Sequence, residues 1–154
     1  MDRLLLDTML GKLSTYLRMC GYDAAYSLDR GVEADDAVLS LAVDEDRRLL
    51  TRDVSLAARA PRSLLLSTRD VEDQLRELRD AGFDLSLPGE PSRCSACNGS
   101  LERVPAGEPR PDHAPVEGSL WRCRDCAQYF WKGSHWEDVR RRLERVRDRT
   151  ADDR

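Results

Sequence analysis

The apolar residues in the first half of the chain fall into short continuous runs separated by charged and turn-forming positions. Such runs occupy 4–6, 48–51 and 63–67, and a segment of mixed polarity lies at 23–27. A continuous apolar run of this length is typical of a strand buried on both faces, as in the parallel sheets of α/β proteins. The pattern therefore predicts four strands, the first of which ends at Asp7.

Apolar residues between these strands recur at helical spacing. One face of the first predicted helix carries Met9, Leu10, Leu13, Tyr16, Leu17 and Cys20. A second helix is predicted at 34–42, a third ends before Pro61, and a fourth runs from an N-cap at Asp70 to Gly82. Strands that alternate with helices form parallel βαβ units, so residues 1–86 are expected to be one small α/β domain with a parallel sheet flanked by helices.

Four of the five cysteines form two Cys-x-x-Cys pairs. They are Cys94, Cys97, Cys123 and Cys126. In a chain without an export signal, such pairs point to metal rather than to disulfides, and two redox dithiols would not explain matched pairs. Four thiolates complete the tetrahedral coordination of one structural Zn²⁺, so 94–133 are predicted to form a zinc ribbon after a linker at 87–93. Cys20 lies on an apolar helix face and is predicted to be a core residue.

The last predicted helix covers 134–149 and is expected to pack on the ribbon or on the α/β domain. Its start matches a capping box, with Ser134 as the N-cap and Glu137 three residues later. Residues 150–154 are predicted to fray.

Charge is distributed unevenly along the chain. Residues 1–93 contain 18 acidic residues against 13 Lys and Arg, whereas 121–149 contain 9 Lys and Arg against 5 acidic residues. An acidic part suits metal binding and a basic part suits phosphate binding, although two ordinary solvated surfaces would give the same composition. The sequence shows neither an apolar stretch long enough to cross a membrane nor a signal-peptide pattern. A soluble, cytoplasmic protein without a membrane partner is therefore expected.

Two aspartates occur at equivalent points of the predicted βα units. Asp7 and Asp53 each follow an apolar strand and precede a helix, and both would lie at the carboxyl edge of a parallel sheet, where such sheets bind ligands. Asp35 and Asp36 open a helix that would reach the same edge. Clustered carboxylates suit Mg²⁺ or Mn²⁺, which can activate water for attack on a phosphodiester. Each of these aspartates has an alternative role as a helix cap.

The order of these motifs resembles that of the Mut-seven C-terminal RNase domain family, a branch of the PIN-like nucleases. The resemblance rests on the segments 7–23, 33–36 and 49–53, on Gln74 and Leu75, on both Cys-x-x-Cys pairs and on 129–136. It covers nearly the whole chain, and the order of the motifs is more specific than any one of them.

The resemblance implies a PIN-like nuclease domain followed by a zinc ribbon, with metal-dependent RNase activity. By position, Asp7 and Asp53 take the places of two metal-binding acids, and Asp36 takes the middle place, or Asp35 beside it. Asp70 follows the fourth strand and is a candidate for a further acid, but it fits an N-cap equally.

The candidate RNA-contacting residues are basic or aromatic. They are Lys12, Arg52, Tyr129, Trp131, Lys132, Arg140 and Arg141. Aromatic rings beside cations stack bases and hold phosphates in proteins that bind single strands. The rings of the ribbon could instead form its small core, and this role is favoured for Trp121 and Trp136.

The sequence thus predicts a Mg²⁺- or Mn²⁺-dependent ribonuclease that cleaves RNA, expected to be single-stranded, with a zinc ribbon that assists RNA binding. A non-catalytic RNA- or protein-binding adaptor is a second hypothesis, in which the aspartates are only helix caps. A metal-dependent hydrolase of small phosphate esters is a third, and it requires a closed pocket rather than an open basic groove.

Overall fold

The chain folds into a four-stranded parallel sheet flanked by helices, a three-stranded antiparallel ribbon and a C-terminal helix. The computed structural model describes residues 2–148, so position 149 of the predicted last helix and the predicted fraying of 150–154 lie outside the described residues. Within 2–148, no helix is both long enough and apolar enough to cross a lipid bilayer. The fold class predicted from the hydrophobic pattern and the family resemblance is confirmed.

The parallel sheet contains β1 (Leu4–Leu6), β2 (Ala24–Tyr26), β3 (Arg48–Thr51) and β4 (Ser63–Leu65), in the order β2-β1-β3-β4. The helices beside it are α1 (Gly11–Met19), α2 (Asp35–Asp44), α3 (Val54–Arg59) and α4 (Val71–Asp80). The ribbon contains β5 (Leu101–Arg103), β6 (Trp121–Cys123) and β7 (Tyr129–Phe130), and α5 (Ser134–Arg147) follows it. β2 is shorter than predicted because a 3₁₀ turn begins at Ser27, and β4 ends at Leu65 rather than at 67.

β1 is buried on both faces of the sheet. Leu4 and Leu6 belong to the larger apolar cluster, while Leu5 belongs to a smaller cluster with Val38 of α2 and Leu56 of α3. Side chains alternate between the two faces along a strand, so a run of leucines fills both cores at once. β1 pairs in parallel with both β2 and β3, and the ends of β1 and β3 therefore lie next to each other at one edge.

α5 packs on the α/β domain, in contact with α4. Its residues Val139, Leu143 and Val146 are buried in the larger apolar cluster together with Leu75 and Leu78 of α4. Of the two predicted partners of this helix, the structure shows contact with the domain.

The predicted capping box at the start of α5 is wrong. Gly133 occupies the N-cap position and Ser134 is already helical, so the serine cannot accept the bond that a cap accepts. No side chain within residues 2–148 caps this helix. The Glu137 side chain pairs instead with Arg140 at 2.9 Å. A Cβ atom at Gly133 would lie 2.9 Å from the Trp131 indole nitrogen, so the close approach of this ring favours glycine at the helix start.

The ribbon docks on β2, an edge strand of the sheet. The Asn98 side chain accepts a hydrogen bond from the Ala24 backbone N–H (2.9 Å) and donates one to the Asp23 carboxylate (2.7 Å). The guanidinium of Arg18, only 3% exposed, donates to the carbonyl oxygens of Ala24 (2.9 Å) and Ser95 (3.1 Å). Unpaired backbone N–H and C=O groups on an edge strand can pair with other chains. The contacts with Asn98 and Arg18 occupy two such groups, the N–H and the carbonyl of Ala24.

Asp23 is held in its charged form at this junction. Burial raises the pKa of Asp23, but hydrogen bonds from Arg47 (2.7 Å) and Asn98 (2.7 Å) outweigh burial and lower the pKa from 3.8 to about 2. Because the folded-state pKa lies below the unfolded value, the stability that Asp23 contributes is present above the unfolded pKa of 3.8 and is lost as the pH falls towards about 2.

The substitution Asn98→Asp tests the docking contact. It replaces the amide donor that faces Asp23 by a carboxylate oxygen, while the other oxygen still accepts from Ala24. Repulsion should lower the free energy of unfolding at neutral pH by about 2 kcal/mol and raise the pKa of Asp23. Urea unfolding with zinc in excess and NMR titration of Asp23 measure the two effects.

The difference in free energy of unfolding between this variant and the wild type should become smaller in acid, because protonation of Asp23 or of the introduced aspartate removes the repulsion. An unchanged free energy of unfolding at neutral pH would show that the contact does not hold the ribbon on the domain.

Candidate functional site

The four paired cysteines come together in the ribbon. Their Sγ atoms all lie within 4.8 Å of one another, with 3.7 Å between Cys94 and Cys126 and 3.5 Å between Cys97 and Cys123. A tetrahedral zinc with Zn–S bonds of about 2.3 Å requires sulfur atoms about 3.8 Å apart, whereas a disulfide requires about 2.05 Å. Number, chemistry and spacing of these donors therefore fit one structural Zn²⁺.

Two similar loops hold the sulfur atoms. The residue after each cysteine pair has a positive φ, which is 73° at Asn98 and 64° at Ala127. The Asn98 N–H donates to the Cys94 carbonyl at 2.9 Å, and the Ala127 N–H donates to the Cys123 carbonyl at 3.0 Å. Gly99 packs so closely on the second loop that a Cβ atom there would lie 2.8 Å from the Cys123 sulfur. Only glycine fits at this position without displacing a ligand atom.

Backbone amides favour the thiolate form at one of the ligands. The N–H groups of Asp125 and Cys126 donate to the Cys123 sulfur at 3.4 and 3.5 Å. Burial raises the pKa of the Cys123 thiol, but these two N–H groups, together with the thiols of Cys97 and Cys126, outweigh burial and lower the pKa. Burial raises the pKa of Cys94, so zinc binding there must displace a proton.

Cys20 lies outside the zinc site. It is 3% exposed in the larger apolar cluster, and burial raises the pKa of its thiol to about 12. A thiol that stays protonated in an apolar environment is a small core residue, as the helical pattern predicts.

The carboxyl ends of β1 and β3 bring Asp7 and Asp53 to one edge of the sheet. Thr51 connects them, because its hydroxyl donates to Asp7 Oδ2 (2.7 Å) and accepts from the backbone N–H of Asp53 (3.0 Å). Asp7 Oδ1 also accepts from the Thr8 N–H (2.8 Å). Thr51 is fully buried, Asp7 is half-buried and Asp53 is exposed. A buried hydroxyl thus fixes the Asp7 carboxylate relative to the start of α3.

Thr51 is not among the site residues that the sequence predicts. The sequence feature that indicates it is its position, at the end of a buried strand and two residues before Asp53. A buried hydroxyl needs polar partners, and the two aspartates supply them.

Two of the candidate acids are also helix caps. Asp53 Oδ1 accepts from the N–H of Leu56 (3.0 Å) at the start of α3, and Asp70 accepts from Glu72 and Asp73 (3.1 and 3.2 Å) at the start of α4. Capping uses one oxygen of Asp53, and the other oxygen makes no hydrogen bond within residues 2–148.

Asp35 and Asp36 lie in the first turn of α2 and are exposed. The Asp36 side chain is 87% exposed and pairs with Arg59 of α3 at 2.5 Å. Across residues 2–148, the four cysteines are the only group of three or more His, Cys, Asp or Glu side chains whose ligand atoms come within 4.8 Å of one another. The structure therefore links Asp7 with Asp53 and gives Asp36 a different partner.

Lys12 and Arg52 are the basic candidates nearest in sequence to these two acids. Lys12 is exposed in the first turn of α1, five residues after Asp7, and Arg52 precedes Asp53 directly. The Arg52 Nε atom is buried and makes no hydrogen bond within the described residues. The Arg52 Nε–H group is therefore a donor for which residues 2–148 supply no acceptor.

The aromatic candidates of the ribbon are half-buried. Tyr129 and Trp131 pack against the ribbon's small apolar cluster and also contact His113, with ring centroids 6.4 and 6.0 Å away. Lys132 is exposed and lies 5.6 Å from the ring centre of Trp136. Trp136 itself is buried at 9% exposure, as the core role predicted for it requires.

The two candidate arginines of α5 differ in their pairing. Arg140 pairs with Glu137 (2.9 Å) and Glu144 (2.5 Å), so its charge is largely matched within the helix. Arg141 is 63% exposed and has a longer ion pair, 3.7 Å, with Asp138. Arg141 is therefore the better placed of the two to bind an external phosphate.

A protein-family model described as the Mut7-C RNAse domain matches residues 2–143, nearly the whole chain. No curated protein and no solved structure matches the chain.

The cysteine cluster generates a prediction about metal content. Purified protein should contain one Zn²⁺ per chain, and Cys97→Ser should lose it and unfold 94–133, because a ribbon with a small apolar core depends on the metal for folding. Elemental analysis and the NMR spectrum of the ribbon amides measure this. Cys20→Ala is the matched control, because it also removes a thiol but should keep the zinc. Protein that contains no zinc when purified without chelator would refute the assignment.

Proposed function

The chain belongs to the Mut7-C RNAse domain family, and on this basis we propose that it is a divalent-metal-dependent ribonuclease that cleaves single-stranded RNA at the carboxyl edge of its parallel sheet. The observation that carries the proposal is the contact between the ends of β1 and β3, where the Thr51 hydroxyl joins Asp7 to Asp53.

The donor set at this edge suits Mg²⁺ or Mn²⁺. Mg²⁺ is usually held by one or two carboxylates, while water and substrate phosphate complete its coordination, so Asp7 and Asp53 are sufficient protein ligands. When bound there, the ion would polarise the phosphodiester and lower the pKa of an attacking water. Asp36, which pairs with Arg59 through Oδ1, would join this set only if its side chain moved towards the two acids.

The chain's own residues have separable tasks in this proposal. Asp7 and Asp53 supply negative charge, and Thr51 keeps the Asp7 carboxylate in one orientation. Arg52 and Lys12 supply positive charge beside the two acids for the RNA phosphates.

The exposure of this edge favours a polymer over a small ester. Met9 and Val54, which follow Asp7 and Asp53 closely in sequence, are 72% and 69% exposed. Exposed apolar side chains beside the acids offer contact surface to the bases of a strand, whereas a hydrolase of small esters needs an enclosed pocket.

A non-catalytic RNA-binding adaptor is the second candidate, because Asp53 and Asp70 act as helix caps. The two candidates differ in one respect that is easily measured, since an adaptor binds RNA equally well with and without a divalent metal and does not cleave it.

Asp7→Asn should reduce Mn²⁺-dependent cleavage of labelled single-stranded RNA to background. The substitution keeps the shape and one of the two hydrogen bonds that the carboxylate accepts, but it removes one negative charge from the metal site. Asp53→Asn should act in the same way, and the double variant should be little worse than either single one, because the two carboxylates act as one unit. Asp36→Asn should be more harmful than Asp35→Asn.

RNA binding in EDTA, zinc content and thermal unfolding are the controls for these variants and should change little. Cleavage that survives EDTA, or that Asp7→Asn leaves intact, would place the activity elsewhere. Absence of cleavage together with metal-independent binding would favour the adaptor.

Thr51→Val should lower the cleavage rate by roughly tenfold to a hundredfold, because supporting partners of metal ligands typically have effects of this size. Valine has nearly the same shape but cannot hold Asp7. The Mn²⁺ concentration required for half-maximal activity should rise, and Thr51→Ser, which keeps the hydroxyl, should restore both quantities. If Thr51→Ser is as impaired as Thr51→Val, the hydroxyl is not the relevant group.

A further inference from the structure

A groove of about 380 Å³ lies between the ribbon and the start of α5. Its walls include the aromatic rings of Tyr129, Phe130, Trp131 and Trp136, and we call it the aromatic groove. Two of these rings pack on the ribbon's apolar cluster and Trp136 is buried, so their positions are set before a ligand arrives. Preset rings accept a nucleobase by stacking at little entropic cost, whichever base it is.

A second groove, of about 330 Å³, follows α5 and shares one lining residue with the first. His135, in the first turn of α5, lines both. The second groove is lined by Arg141, Arg142 and Arg145, with Asp138 as the acidic residue among its lining side chains, and we call it the basic groove. The 3.7 Å ion pair of Arg141 with Asp138 is exposed and contributes little stability, so a phosphate can replace the carboxylate.

One face of α1 connects the grooves with the edge that carries Asp7. Lys12, Tyr16 and Met19 are spaced as i, i+4 and i+7 and so share this face; Tyr16 lines the basic groove and Met19 lines the aromatic groove. The Arg142 guanidinium lies 5.7 Å from the Tyr16 ring centre and donates to its hydroxyl at 2.9 Å, which joins α5 to α1. At 1.5 Å per residue, the helix face from Lys12 to Met19 is about 10 Å long, within reach of a short extended strand.

We propose that one strand of RNA lies along this face of α1, with its phosphates at the basic groove and one unpaired base stacked in the aromatic groove, while the carboxylates of Asp7 and Asp53 act on a phosphodiester farther along the same strand. This inference rests on the proposed ribonuclease function and adds to it the path of the strand and a base-binding position. Stacking on protein rings requires a base that is free of a duplex, so the path selects unpaired RNA.

Abasic scanning of a short labelled RNA tests the aromatic groove. Affinity is measured in EDTA, so that no cleavage occurs, for a series of oligonucleotides that each lack one base. Removal of the base that occupies the groove should weaken binding by about tenfold. The same series is repeated with Phe130→Leu, which keeps an apolar side chain but removes one ring; Phe130 belongs to none of the apolar clusters formed by the described residues.

Removal of the base and the substitution Phe130→Leu should have coupled effects on affinity if the base stacks on the Phe130 ring. The abasic penalty at one position should largely disappear in Phe130→Leu, while the penalties at other positions remain. Equal penalties in both proteins at every position would overturn the proposal, and unchanged zinc content would show that the variant is intact.

Arg141→Ala tests the basic groove against a matched control. It should weaken RNA binding and reduce the slope of log affinity against log salt by about 0.7, the value for one phosphate contact on a single strand. Arg124→Ala is the control. The two arginines are similarly exposed, 65% for Arg124 and 63% for Arg141, and each has one acidic partner. They differ in that Arg124 does not line the basic groove. Equal effects of the two variants would mean that only general charge matters and would overturn the path.

Cleavage mapping with Mn²⁺ separates this inference from the ribonuclease proposal. If the path is right, the cut should fall at a constant distance from the coupled base. If cleavage depends on Asp7 but the abasic penalty is not coupled to Phe130→Leu, the proposed strand path is overturned and the ribonuclease proposal remains. Coupling without any cleavage would support the base-binding groove and would remove the ribonuclease proposal.

Discussion

Burial of β1 on both faces is the constraint on which the rest of the domain depends. Leu4 and Leu6 fill one core and Leu5 fills the other, so the strand can move towards neither side without opening a cavity. It is also hydrogen-bonded on both edges, to β2 and to β3. The chain therefore leaves the sheet at a fixed point, and Asp7 is the first residue outside. Rigid placement of this carboxylate follows from the three leucines that precede it.

The ribbon is joined to this domain by polar contacts that depend on the shape of a zinc-binding loop. Asn98 bonds to Ala24 of the edge strand and to Asp23 just before it, and it takes its positive φ because the chain turns there after Cys97. Loss of zinc would release that turn and with it the contacts on β2. A metal bound there would stabilise more than the ribbon, since part of its binding energy would also hold an edge of the parallel sheet.

The elements and the cysteine site could be predicted from sequence because their signals are local: strand and helix periods, and the two-residue spacing of the cysteine pairs. The proximity of Asp7 and Asp53 follows from parallel topology. The hydroxyl bridge at Thr51 and the pairing of Asp36 with Arg59 could not be predicted, because they depend on side-chain positions set by packing between elements. The capping box failed for a related reason: Ser134 and Glu137 have the right spacing, but the helix begins one residue earlier than that spacing assumes.

The loop at Asn98 also bears on how the protein ages. Asn followed by Gly is the dipeptide most prone to deamidation, in which the glycine nitrogen attacks the asparagine side-chain amide and a succinimide forms. Here both groups are engaged: the Asn98 amide bonds to Ala24 and Asp23, and the Gly99 N–H donates to the Cys97 sulfur at 3.4 Å. A metal bound by the cysteines would hold this loop in place and would thereby protect the bond between Asn98 and Gly99 from deamidation. If the loop lost its metal and Asn98 became aspartate, the new carboxylate would repel Asp23 even after zinc returned.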